Sequence, residues 1–214
     1  MPVTRSTRAR RRWIIAAGVL VAAGIAAVAI VSNGALSSLP RDMNGKPVTY
    51  EADSAPKSEA SAVPNGDGRL VVSSVGLDVP IGSLNAVEGI VSPPGFTSAY
   101  LIRNYGVTPK DSGLGTVYIV MHSLRNGGTG PGNYLIDVEN EKAQVRRGDE
   151  IDVDGTKFRV TGSQRLSKDQ LPSSEIWSAS PNTLVVITCL QRPDGQASTD
   201  NMVITAERVL STSQ

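Results

Sequence analysis

Beyond residue 68 the apolar positions come in short runs rich in β-branched residues and punctuated by turns, whereas before residue 33 they form one unbroken block. The short runs at 70–75, 79–84, 116–121, 144–145, 151–153, 157–164, 184–188 and 202–206 predict β-strands. Asp154-Gly155, between the runs 151–153 and 157–160, predicts a type I′ hairpin, because both central residues of that turn need positive φ. Helical patterning is confined to 95–104 and 167–177. The latter opens on a Ser167-x-x-Gln170 capping box and is interrupted by Pro172. Many short strands with few helices predict an all-β domain, a closed or nearly closed barrel. Residues 69–214 are enough chain for one hydrophobic core.

The early block has a different meaning. Residues 13–31 carry no charge, and about 19 residues at about 1.5 Å each span about 28 Å, the hydrocarbon thickness of a bilayer. One transmembrane helix is expected there. Arg5, Arg8, Arg10, Arg11 and Arg12 precede it and hold the amino terminus in the cytoplasm, so the rest of the chain lies outside the membrane. The alternative is a signal peptide cleaved near 27–29, for which the apolar run is long. Residues 33–68, with Pro40, Pro47, Pro56 and Pro64 and no sustained period, read as a flexible extracytoplasmic linker with a reach on the order of 30 Å. The expected organisation is a basic tail and signal anchor at 1–32, a linker at 33–68 and a catalytic domain at 69–214.

Charge and composition narrow the chemistry. Subtracting the five amino-terminal arginines from the formal net charge of +1 leaves −4, which argues against nucleic acid as a partner. The chain has one cysteine and one histidine. A lone cysteine makes no internal disulfide, and in an exported domain such a thiol points to reactivity. His122 closes the run 115–122 and Cys189 closes the run 183–189. Two neighbouring strands would then present thiol and imidazole at one rim of a sheet, the arrangement of a nucleophile and its base. The plainer alternative is a buried structural cysteine and an unrelated surface histidine. One His and one Cys with no suitably spaced carboxylates do not make a metal site, so neither metal nor other cofactor is expected.

Over about residues 70–206 the chain resembles the sortases. Leu70-Val-Val-Ser-Ser-Val-Gly-Leu-Asp-Val-Pro-Ile81 is similar to the family's opening strands, and Thr116-Val-Tyr-Ile-Val-Met-His122 to the strand ending in its histidine. Val145-Arg-Arg-Gly-Asp-Glu-Ile-Asp-Val153 is similar to its Gly-Asp turn, and Val185-Val-Ile-Thr-Cys189 stands in the place of its Thr-Leu-x-Thr-Cys signature. Ser92-Pro-Pro-Gly95, the scarcity of helices and the single anchor resemble class F of the actinobacteria. The departures are Val185 and Val186 for Thr-Leu, Met121 for Gly, and Ser73 for Pro.

The resemblance implies a closed eight-stranded barrel with short helices, preceded by the transmembrane helix. It implies a membrane-anchored thiol transpeptidase of the hydrolase class that cleaves LPXTG-like sorting signals. Cys189 would form the acyl thioester and His122 would serve as general acid and base, with Thr188 flanking the substrate groove. The acceptor would be an amine of a peptidoglycan precursor or a pilin. Many sortases carry an arginine at the start of the last strand, but 198–206 contains none. A guanidinium or backbone N–H groups must stabilise the oxyanion, and Arg192, in the loop before the last strand, is the candidate. Arg103 and Arg125 are alternatives, and the amide of Asn201 is an uncharged one. The histidine-before-cysteine order excludes a papain-like enzyme, and the lack of a Ser-His-Gly-Cys motif excludes an L,D-transpeptidase. The rival outside the enzymes is a catalytically inactive, membrane-tethered β-barrel binding module.

Overall fold

A computed structural model describes residues 39–50 and 55–210. The expected transmembrane helix lies outside the described residues. The strands are β1 (Arg69–Val72), β2 (Leu77–Leu84), β3 (Ala99–Ile102), β4 (Thr116–Met121), β5 (Ile136–Asp137), β6 (Lys142–Ala143), β7 (Glu150–Val153), β8 (Thr156–Ser167), β9 (Thr183–Leu190) and β10 (Asp200–Arg208). Eight of them close into a barrel in the order β1-β2-β3-β4-β9-β10-β8-β7, while β5 and β6 form a separate two-stranded ribbon. Pairing is antiparallel except at β2–β3 and β4–β9. The β7–β8 turn has Asp154 at φ 52° and Gly155 at φ 80°, as the type I′ expectation requires.

The barrel interior is filled by alternate residues of each strand, among them Leu70, Val79, Ile119, Phe158, Val186 and Ile204. Strands β4 and β9 are buried on their outer face as well. There Tyr118, Val185, Ile187 and Val203 pack with Leu171, Ile176 and Trp177. Burial on both faces is why these two strands read as continuous apolar runs rather than alternating ones. Each fully buried Val, Leu or Ile is worth about 1.5–3 kcal/mol. Exposed ion pairs such as Arg69–Asp78 and Lys157–Glu150 contribute about 0–1 kcal/mol each, so packing holds the fold.

Four expectations change. Residues 95–104 are not helical: β3 lies between β2 and β4, and Tyr100-Leu-Ile102 gives the aromatic and β-branched content a strand prefers. At 167–177 the reciprocal capping-box bonds form, Ser167 N to Gln170 Oε1 at 3.4 Å and Gln170 N to Ser167 Oγ at 3.2 Å. They cap no α-helix. Only the 3₁₀ turns Leu171–Ser173 and Glu175–Trp177 come after them, and these lie over the outer face of β4. Trp177 stacks at 5.2 Å on Tyr118, whose hydroxyl donates to the Ile176 carbonyl at 2.7 Å. Short strand pairing falls at Lys142–Ala143 rather than at 144–145.

The fourth change concerns the linker. Its described residues are bound to the barrel: Val63 bridges Ser83, and Gly66 N donates to Ile81 O at 2.8 Å. This covers the half of β2 that β1 does not reach, where open edge groups need partners. Upstream, Met43 N donates to Thr129 O at 2.9 Å and its side chain packs on the core. Proline and polar residues describe a strap held by backbone bonds as well as they describe a tether, so composition does not separate the two.

Asp42 anchors that strap. Oδ1 accepts from Asn44 N at 2.9 Å and Lys46 N at 2.8 Å, and Oδ2 accepts from Thr129 N at 3.0 Å. Burial alone acts to raise its pKa. The three backbone donors and the Lys46 charge outweigh it and hold the carboxyl below its ordinary value of 3.8. A depressed carboxylate stabilises the fold above its unfolded pKa, and that contribution is lost as pH falls through the folded value. Hydrogen exchange should therefore show the Asn44, Lys46 and Thr129 amides protected above about pH 4 and losing protection below it. Protection indifferent to pH, or to Asp42→Asn, contradicts this anchoring.

Candidate active site

Strands β4 and β9 run parallel with Met121 beside Thr188, so His122 and Cys189 are each one residue beyond a register pair. Parallel neighbours are about 4.8 Å apart, and side chains alternate between faces. Met121 faces the barrel interior, which puts His122 and Cys189 together on the outer face, after the outward pair Val120 and Ile187. On its other side Cys189 faces Asn201 of β10. All three line one cavity of about 840 Å³, together with Thr188, Arg125 and Gln191. Both Cys189 and His122 are half-buried.

The imidazole is fixed by a carbonyl and two rings. His122 Nε2 is 3.1 Å from the Pro93 carbonyl oxygen. A carbonyl only accepts, so Nε2 carries the hydrogen, and in the neutral ring the lone pair is on Nδ1. Phe96 stacks on the imidazole at 4.7 Å, and Tyr50, from the strap, meets it edge-on at 6.3 Å. The Tyr50 hydroxyl donates to the carbonyl of Pro94. Burial raises the Tyr50 pKa above its usual value, which keeps it a neutral donor. The Ser92-Pro-Pro-Gly95 segment thus supplies two adjacent carbonyls, one to the imidazole and one to the ring that covers it.

The loops leaving the two strands are tied together. Ser123 Oγ donates to the Cys189 carbonyl at 2.5 Å, and Gln191 Nε2 donates to Ser123 O at 2.9 Å and Ser123 Oγ at 3.0 Å. Asn133 Oδ1 accepts from Leu124 N at 2.7 Å and Gly130 N at 2.8 Å, closing the loop after His122. Gly132 N donates to the His122 carbonyl at 2.9 Å. A β-carbon at Gly132 would stand 1.9 Å from Thr188 Oγ1, so only glycine fits between the loop and β9.

The sequence candidates separate clearly. The structure brings Cys189, His122, Thr188, Asn201 and Arg125 to one cavity. Arg192 is not among the lining residues, and its guanidinium is held by Asp194 Oδ2 at 2.6 Å. Arg103 clamps Ser83 Oγ at 2.8 Å and Ser61 O at 2.7 Å, a structural tie between β2 and the strap. Sequence reasoning missed Tyr50, Phe96, Ser123 and Gln191. Their signal was weak: Phe96 is one of two phenylalanines, and Tyr50 sits in a segment that composition assigns to a linker. Thr188 Oγ1 and Gln191 Oε1 are buried and accept or donate no hydrogen bond among the described residues. Among those residues no group of three or more His, Cys, Asp or Glu side chains is placed to hold a metal.

No protein-family model matches the chain, and no curated protein matches it. Several solved structures are similar to it. Sortase A of Listeria monocytogenes is 17% identical, with 70% of this chain and 92% of that one covered at a TM-score of 0.47. Sortase C-1 from Actinomyces oris is 16% identical, covering 69% and 74% at 0.49. The pilus-related sortase C of Group B Streptococcus is 14% identical, covering 87% and 89% at 0.48.

Proposed function

We propose that this protein is a sortase-type cysteine transpeptidase, of the class F kind, acting on LPXTG-like sorting signals. The observation that carries the reading is the parallel β4–β9 register, which sets the chain's single thiol beside its single imidazole at the mouth of one cavity. The motif order along residues 70–206 supports it. Cys189 Sγ attacks the carbonyl carbon of the Thr-Gly bond while its proton passes to His122 Nδ1. The tetrahedral intermediate collapses, the C–N bond breaks, and Nδ1–H protonates the departing amine. An incoming amine of a peptidoglycan precursor or pilin then gives a proton to His122, attacks the thioester and releases the thiolate. The apolar outer face beside the pair, Val120, Ile187 and Trp177, receives the aliphatic part of the signal, while Thr188, paired with the inward-facing Met121 and buried, lines the cavity from beneath.

The test is intact-mass analysis of the full chain incubated with a library of LPXTG-like peptides. A thioester adduct on Cys189 is expected. No adduct from any peptide, with Cys189 still alkylated by iodoacetamide, removes the enzyme reading in favour of a binding module. In the cell, residues 13–31 form a single uncleaved membrane anchor with the barrel outside. Protease added to intact cells should digest the barrel and spare the amino terminus; a carboxyl-terminal reporter active only in the cytoplasm would refute that topology.

A further inference from the structure

Transfer through a thioester passes twice through a tetrahedral oxyanion, and a fixed cation near that oxygen lowers both barriers. The cations lining the cavity are Lys46, Arg125 and Lys168. Lys46 and Lys168 are exposed, and Lys46 Nζ is turned to the Gly127 carbonyl at 3.3 Å. Arg125 differs in being half-buried and in its position. It lies three residues beyond His122, on the loop leaving β4, and its Nη1 donates at 3.4 Å to the carbonyl of Gly195, on the loop leaving β9. Its guanidinium therefore links the loop that follows His122 to the loop that follows Cys189.

The turn that receives this bond is built for it. Gly195 N donates to the Arg192 carbonyl at 3.1 Å, and Gln196 N donates to Asp194 Oδ1 at 3.0 Å. Asp194 Oδ2 meanwhile holds the Arg192 guanidinium. Gly195 has φ +71°, a left-handed backbone conformation that favours glycine, and it packs against the side chain of Asn126 on the loop after β4. We infer that Arg125 is the catalytic cation that binds the scissile carbonyl oxygen and stabilises its oxyanion, and that the Arg192–Asp194 pair is a positioning element shaping the turn that aims it. The inference rests on the transpeptidase reading. A guanidinium offers five donors in a planar fork, so its hold on Gly195 orients the plane while another edge meets the oxygen.

Single-turnover acylation of the full chain, using the LPXTG-like peptide that acylates the wild type fastest, tests this. The variants are Arg125→Ala, Arg125→Lys and Arg192→Ala, each also alkylated with iodoacetamide, whose reaction builds no oxyanion. Arg125→Ala should lower the maximal acylation rate about 10²–10³-fold, because the lost interaction forms only as charge develops. Its half-saturating peptide concentration should stay within about threefold. Arg125→Lys should recover less than about tenfold of the loss, and added guanidinium ion should restore part of the rate in Arg125→Ala alone. Arg192→Ala should lose about tenfold or less, as a positioning element does. Iodoacetamide should alkylate Cys189 at near wild-type rate in all three. Acylation of Arg125→Ala within about tenfold of wild type, or alkylation that falls in parallel with acylation, overturns the assignment. A wild type that alkylates but never acylates overturns the transpeptidase reading and this inference together.

Discussion

Cys189→Ala should abolish the acyl adduct of the proposed mechanism and leave the barrel intact. The side chain is half-buried at the cavity mouth, and β9 continues through it to Leu190 on backbone bonds to β10. Truncating it removes one sulfur atom from a partly solvated position, so the melting temperature should stay within a few degrees of wild type. The chain has no second thiol to take over. Mass spectrometry after incubation with the reactive peptide should show unmodified protein only. An adduct of full yield on the alanine variant would place the nucleophile elsewhere and refute the thioester mechanism.

His122→Ala should slow acylation by about 10²–10⁴-fold, the usual contribution of a positioned acid–base group. With Nε2–H held by the Pro93 carbonyl, Nδ1 is the ring atom left to exchange protons in the proposed mechanism. A finer variant is Phe96→Leu, which removes the ring stacked at 4.7 Å on the imidazole while keeping an apolar cover, and should cost a smaller fraction of the same rate. Stopped-flow measurement of leaving-peptide release reads both. An alanine variant at His122 with a rate within about tenfold of wild type would show that another group moves the proton.

The all-β character, the Asp154-Gly155 hairpin and the strand-end positions of His122 and Cys189 were legible in the sequence, because each rests on local patterning. Strand β3 was not, since Ala99–Ile102 is only four residues long and is fixed by neighbours on either side rather than by its own period. The 167–177 segment was misread for a related reason. Its capping bonds are local and form, but Pro172 and packing on the outer face of β4 set the path of the chain beyond them. Among the site residues, Tyr50 and Phe96 reach His122 from segments far apart in the chain, and no spacing rule joins them. Arg192 and Arg125 show the limit most clearly. Nearness to Cys189 in sequence favoured Arg192, whereas the turn at Asp194 and Gly195 directs Arg192 to its own loop and leaves Arg125 at the cavity.

The parallel seam between β4 and β9 also ties reactivity to folding. The bond from Ser123 to the Cys189 carbonyl joins residues 66 apart, and the barrel closes only through two long-range seams, β4–β9 and β1–β7. Such topologies order slowly, on the millisecond-to-second scale, because chain entropy is lost before the contacts repay it. Until the seam closes, the thiol has no imidazole next to it and no cavity around it. Under the proposed function, an unfolded chain would carry its thiol in an idle form, and acylation would report that the whole barrel has shut.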